Sequence, residues 1–224
     1  MEVIVGAVIA ILVATTIEYL RRPKLELSIE SPHLDVYYPP GYPATNARYL
    51  RLRLANRPLP WFARWMLRSA ALQCRGVITF HHLDDGQNIF GREMAIRWSG
   101  SPQPIPSDVV NMATGQVQYR VVDLTRITTD SRMDVYPGEN ELFDVAVRLD
   151  ADTDCYGWNN EAYFSQTLWR SQNWRLAPGR YLVRARIKSS GQTCTGVVRL
   201  INDVPRTDCR LEPATKADRA KIRG

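Results

Sequence analysis

Two hydrophobic rhythms divide the chain. From Val3 to Leu20 it reads VIVGAVIAILVATTIEYL, with no charged side chain before Glu18. At 1.5 Å per residue such a helix is roughly 27 Å long, enough to cross the hydrocarbon core of a bilayer. The pattern therefore predicts a transmembrane helix within residues 1–22. A cleaved signal peptide is the competing reading, but it calls for a basic leading segment and a small-residue cleavage site. Here only Met1 and Glu2 precede the apolar run, and Val13-Ala14-Thr15 is a poor cleavage signature.

Past the anchor, apolar and polar residues alternate with the period of a strand that buries one face. Phe143, Val145, Val147 and Leu149 alternate with Asp144 and Arg148, and Tyr181, Val183, Ala185 and Ile187 with Arg184, Arg186 and Lys188. Strands are predicted over Lys24–Glu30, Arg48–Ala55, Leu72–His82, Ile89–Trp98, Val117–Leu124, Leu142–Leu149, Tyr181–Lys188 and Thr195–Ile201. Asp84-Asp85-Gly86 and Ala177-Pro178-Gly179 supply turns between or before them. The fold class that follows is mainly β: a transmembrane helix, then an antiparallel β-sandwich over residues 23–204 with a short helical insertion. Ser31–Ala47 and Ser99–Ser107, rich in Pro with Tyr or Ser, are expected to be surface loops, and residues 205–224 a polar, basic, flexible tail.

The helical insertion is read from Pro60–Arg68, where Trp61 and Trp65, Phe62 and Met66, and Arg64 and Arg68 are each four apart. Two outcomes are open. Trp61, Phe62, Arg64, Trp65 and Arg68 could form an interfacial element lying on the bilayer beside the anchor. Alternatively, the helix caps one end of the sandwich with its aromatics in the core, which the shortness of the run favours.

Charge orients this arrangement. Arg21, Arg22 and Lys24 follow the span and no basic side chain precedes it, so the positive-inside rule places the N-terminus outside and the sandwich in the cytoplasm. Gly6, Ala10 and Ala14 recur every fourth residue and line a face where a second copy of the span could approach. The formal net charge is +6, but the arginines fall singly along strands rather than in a dense run, which argues against nucleic acid as a partner.

Sequence chemistry is sparse. Asp150, Asp152, Asp154 and Glu161 fall at the first, third, fifth and twelfth positions of a calcium-loop template, making calcium the one cofactor to test. Against it, Cys155 stands where the loop needs glycine, and the preceding segment reads as a strand rather than a helix. His81 and His82 are adjacent on a strand and point to opposite faces. The sequence holds no Gly-x-Ser-x-Gly, His-Glu-x-x-His, phosphate-binding glycine loop or dinucleotide fingerprint, and its four cysteines include no Cys-x-x-Cys pair. In the cytoplasm those cysteines should be thiols. Trp158, Asn159, Asn160, Tyr163, Trp169 and Trp174 mix flat aromatics with amides, which suits either a sugar- or peptide-binding surface or the core of a sandwich with long loops.

Four stretches, Cys74-Arg75-Gly76, Met94–Ser99, Cys155–Glu161 and Leu176–Val183, together with the N-terminal span, resemble uncharacterised prokaryotic membrane-anchored proteins with immunoglobulin-like sandwiches. The resemblance implies that sandwich type and a prokaryotic inner membrane, and it brings no activity or catalytic residue. The expected function is a non-enzymatic binding or scaffolding module at the cytoplasmic membrane face with a protein partner. An extracytoplasmic carbohydrate- or cell-wall-binding module is the second reading, and a metal-dependent enzyme the third.

Overall fold

The computed structural model describes residues 2–37, 44–101, 106–111, 113–115, 117–122, 132–150, 152–163 and 169–222. Helix α1 (Glu2–Arg21) is followed by β1 (Leu25–Ile29), β2 (His33–Tyr37), β3 (Thr45–Asn56), β4 (Ala71–His82), β5 (Met94–Ala95) and β6 (Arg97–Trp98). Next come β7 (Pro106–Val110), β8 (Val117–Val122), β9 (Met133–Val135), β10 (Asn140–Leu149), β11 (Cys155–Gly157), helix α2 (Asn160–Tyr163) and β12 (Arg175–Leu176). The chain ends with β13 (Arg180–Ser189), β14 (Gln192–Ile201), β15 (Arg210–Pro213) and helix α3 (Lys216–Lys221). Among the described residues α1 alone is long and apolar enough to cross a membrane. Inside it, the hydroxyls of Thr15 and Thr16 donate back to the carbonyls of Ile11 and Leu12 at 2.8 and 2.7 Å, so neither is left without a partner in an apolar setting.

Two antiparallel sheets face each other. One runs β1-β3-β10-β11-β12, with β2 on β3 and β6 on β10; the other runs β15-β14-β13-β4-β5, with β9 on β4. Their inner faces meet over Leu50, Leu52, Leu54, Phe80, Val183 and Leu200, and the buried Trp98 packs edge-on against Phe143 at 5.6 Å. Strands β7 and β8 form a separate hairpin.

The plainest alternation in the sequence does not mark a single buried face. The register between β10 and β3 shifts between Asp144 and Ala146. Such a bulge inserts one residue and reverses which side chains point inward. Phe143 and Val145 therefore enter the main core, while Val147 and Leu149, beyond the bulge, join Tyr49, Tyr156 and Trp158 in a second cluster. One strand thus feeds two cores.

Three expectations are corrected. Ile89–Trp98 is not one strand but an irregular stretch with Gly91 at φ +63, followed by β5 and β6. The expected loop Ser31–Ala47 contains β2 and the start of β3, which pair from His33↔Tyr49 to Tyr37↔Thr45; in the other loop β7 starts at Pro106. The expected tail, residues 205–224, carries β15 and α3. β15 pairs with the edge of β14 from Val198↔Pro213 to Ile201↔Arg210, and Cys209, Leu211, Ala214 and Ile222 are buried. Thr215 and Asp218 cap α3 reciprocally, and Asp218 accepts from Arg199 at 2.7 Å. That hydrogen bond holds the Asp218 carboxyl well below the usual range.

Candidate membrane-contact site

The C-terminal end of α1 is tied into the sandwich through its backbone carbonyls. Ser69 donates to the Arg21 carbonyl at 2.7 Å, Arg57 to the Lys24 carbonyl at 2.9 Å, and the Arg68 guanidinium to the Arg22 carbonyl at 2.6 Å. Asn56, at the end of β3 and 1% exposed, organises the junction. Its side-chain oxygen accepts from the Lys24 amide, and its amide donates to the carbonyls of Ser69 and Val135, each at 3.1 Å. Sequence reading passed over Asn56, because an amide ending a strand looks like an ordinary turn residue.

From this junction the chain runs through Pro58-Leu59-Pro60 into the aromatic stretch. Only Trp61–Ala63 is helical, a single 3-10 turn, with Met66 donating to the Ala63 carbonyl to close a second turn. The spacing predicted a longer amphipathic helix. A nine-residue segment forms too few hydrogen bonds to offset helix nucleation, and a proline-led connection settles into 3-10 turns instead.

The side chains settle which way the segment faces. Leu59 and Ala63 point inward, whereas Trp61, Phe62, Trp65 and Leu67 are 80%, 59%, 77% and 81% exposed. The aromatics are therefore not in the core, and the cap alternative is overturned. Trp61 and Phe62 pack edge-on at 6.0 Å, and Arg64 is exposed between the tryptophans. Trp65 and Met66 line a crevice of about 390 Å³ whose other wall is Leu12, Val13, Thr16, Ile17 and Leu20 of α1. Leu12 lies nine residues before Arg21, so the crevice reaches about 13 Å up the helix from its basic end. Gly6, on the small-residue stripe, has no heavy atom within 4 Å of where a side chain would begin, so that face is bare in the isolated chain.

The other candidates fall elsewhere. Asp150 accepts from the Asn46 amide and pairs with Arg206 at 3.2 Å, while Asp152 pairs with Arg170 and Asp154 with Arg175, both at 2.7 Å. Glu161 accepts from the Trp174 indole at 2.9 Å and from Asn173 at 2.5 Å, and lies 3.7 Å from Arg92. The calcium-loop residues are thus spread over separate cations, and among the described residues no three His, Cys, Asp or Glu side chains converge on one point. Burial acts to raise the Glu161 pKa, yet the hydrogen bonds from Asn173 and Trp174 and the Arg92 charge bring it below the usual value. His81 is held by the Gly86 carbonyl and the Thr79 hydroxyl, both at 2.8 Å, while His82 is exposed.

The aromatic and amide group is mostly interior. Trp158, Asn159 and Trp174 are buried, and Tyr163 and Trp169 are half-buried. Trp158 meets Tyr49, Trp169 and Tyr163 edge-on at 5.4, 5.0 and 5.7 Å. Asn159 accepts from the Ala162 amide at 2.7 Å, and Asn160 accepts from Arg97 at 2.5 Å. As a flat ligand platform this group is corrected to interior packing: Trp158, with Tyr163 and Trp169 against it, forms a second core toward which the bulge in β10 turns Val147 and Leu149, and Trp174 joins the main core.

No family model matches the chain, and neither a curated protein nor a solved structure matches it.

Proposed function

We propose that the chain is a single-pass membrane protein whose sandwich is a non-enzymatic binding module seated on the bilayer, anchored by α1 and steadied by Trp61, Phe62, Trp65 and Leu67. One observation carries the reading: the exposed Trp65 lies against the only candidate membrane span among the described residues, near its basic end, and Trp61, Phe62 and Leu67 are exposed in the same segment. In water these side chains leave an apolar patch uncovered, which in soluble proteins marks an interaction surface. Aromatics bury 150–250 Å² each, so at roughly 25 cal/mol per Å² a bilayer covering Trp61 and Trp65 contributes on the order of several kcal/mol. Arg64 and Arg68 suit an anionic headgroup layer. Arg21, Arg22 and Lys24 favour the cytoplasmic side, and the module's partner there is a protein.

We also read the sandwich as immunoglobulin-like. The Tyr181 hydroxyl donates to the Ala177 carbonyl at 2.7 Å, across the turn that starts β13, as in the tyrosine corner of such domains.

The test uses the full chain in liposomes containing brominated phospholipid. Trp61 and Trp65 fluorescence should be quenched by bromine placed in the upper acyl chain, and the quenched fraction should disappear in the Trp61→Phe, Trp65→Phe double variant. Equal quenching in wild type and variant would show that the loop stays out of the bilayer.

A further inference from the structure

A cleft of about 730 Å³ opens on the flank of the sandwich where one end of each sheet comes together. Its walls follow from strand lengths. β1 ends its sheet, and β15 covers β14 only from Val198 to Ile201, so among the described residues Gln192–Val197 has no paired strand on that side. The two edges touch at their base: the Cys194 thiol donates to the Leu25 carbonyl at 3.5 Å, and Leu27 lies where a side chain on Gly196 would begin, 3.0 Å away. Above this contact the cleft is lined by Leu25, Leu27, Ile29, Leu52 and Val198, and at one end by Ile222 with the cations Arg184 and Arg219. Helix α3 sets that end, with Arg184 donating to the Ile222 carbonyl at 3.2 Å and Lys221 to the Leu83 carbonyl at 2.7 Å. The one carboxylate on the wall, Glu26, is taken up by Arg57.

Position and polarity point to one occupant. β1 starts four residues after α1 ends, so Leu25 is at most about 14 Å from the end of the span. The apolar wall from Leu25 to Ile29 extends about 14 Å further, close to the roughly 15 Å of one leaflet's acyl chains. Leu25 sits beside Cys194 and Leu27 beside Gly196, so β1 and β14 rise together from the anchor. Arg184 is paired with Val197, and α3 is held at Arg199 through Asp218, which places the cations beside the Ile29 end of the wall. A lipid lifted from the leaflet keeps its chain toward the bilayer and its headgroup away from it, matching this order of apolar wall and cationic end. The volume falls within the range of small-molecule pockets.

We infer that this cleft holds an anionic membrane lipid, with an acyl chain along Leu25, Leu27, Ile29 and Val198 and its headgroup at Arg184 and Arg219. The inference rests on the membrane-seated reading above, and the experiment separates the two. The full chain is reconstituted in vesicles of phosphatidylcholine and phosphatidylglycerol at 3:1, floated, extracted in maltoside and examined by native mass spectrometry. One phosphatidylglycerol should stay bound and phosphatidylcholine should not. Arg219→Glu, on the exposed face of α3, should lower retention about tenfold, and Val197→Trp, which fills the cleft, should abolish it, both with unchanged thermal unfolding. Binding of cis-parinaric acid but not its methyl ester, with the same loss in both variants, is the second readout and does not depend on extraction. Wild-type chain that floats normally yet retains no lipid and binds no parinarate overturns the cleft inference alone, as does retention that neither variant alters. Failure to float overturns the membrane reading itself.

Discussion

The chain has two clusters of tryptophan with arginine, and they behave oppositely. At the anchor, Trp61, Phe62, Trp65 and Leu67 are exposed, and Arg64 lies open beside them. At the far cluster, Trp158 and Trp174 are buried, and the arginines are absorbed. Arg92 stacks 4.3 Å over Trp174, Arg97 sits 4.5 Å over Tyr163, and the buried Arg148 donates to the Asn202 side chain at 3.0 Å. Similar composition therefore serves two ends. In one cluster the rings pack on one another and on arginines, and the Trp174 indole donates to Glu161. In the other, among the described residues, Trp65 lies against the apolar wall of α1 while Trp61 and Phe62 touch each other and stay exposed.

Alanine substitution should separate the two most sharply. Trp158→Ala removes the ring that Tyr49, Tyr163 and Trp169 pack against, and should cost about 3–5 kcal/mol of stability. Trp61→Ala, at 80% exposure, should stay within about 0.5 kcal/mol. Urea unfolding of the full chain in maltoside micelles measures both. Equal losses would mean that the anchor loop is also packed, and the distinction between the clusters would fail.

The contrast also shows where the sequence was legible. Period-two alternation located β4, β13 and β14 to within a few residues, because each buries one face over ten or more residues. Short strands such as β9, β11, β12 and β15 exist through the partners they pair with, and three or four residues carry no period of their own. The bulge in β10 left no mark either, since Val147 and Leu149 are apolar whichever core receives them. At the anchor loop the residue types and the two outcomes were readable at Trp61 and Trp65. The choice between them depended on Asn56 and on how Arg21 and Arg22 dock, which are tertiary facts.

The junction offers the next break. Asn56→Ala leaves the Ser69 and Val135 carbonyls and the Lys24 amide without their partner, and should cost about 2 kcal/mol. Its signature is local. Hydrogen exchange at Lys24 should quicken relative to the strand amides of β13, and Trp65 should lose its fixed place against α1. If exchange at Lys24 is unchanged, the junction does not depend on this side chain, and the loop's position beside the anchor needs another cause.

The smallest expected effect is no change at all, and it tests the direction of the anchor from the opposite end of the molecule. Cys155 and Cys209 are both buried, Cys155 donating to the Val147 carbonyl at 3.3 Å and Cys209 to the Asn202 side chain at 3.7 Å; the neighbouring Cys209 thiol, with burial, pushes the Cys155 thiol well above its ordinary pKa. Neither forms a disulfide in the structure, and enclosure keeps both thiols from an alkylating reagent. Cys74, pushed up to about 11 by burial, is protected in the same way. If the sandwich lies in the reducing cytoplasm, as proposed from Arg21, Arg22 and Lys24, chain purified without reductant should react at all four cysteines, with Cys74, Cys155 and Cys209 reacting only after denaturation. An oxidising compartment would instead join the two neighbouring sulfurs and remove two hydrogens from the intact mass. A Cys155–Cys209 disulfide in chain taken directly from membranes would therefore reverse the anchor while leaving the seating of Trp61 and Trp65 untouched, because that seating depends on the span and not on which side of the membrane it faces.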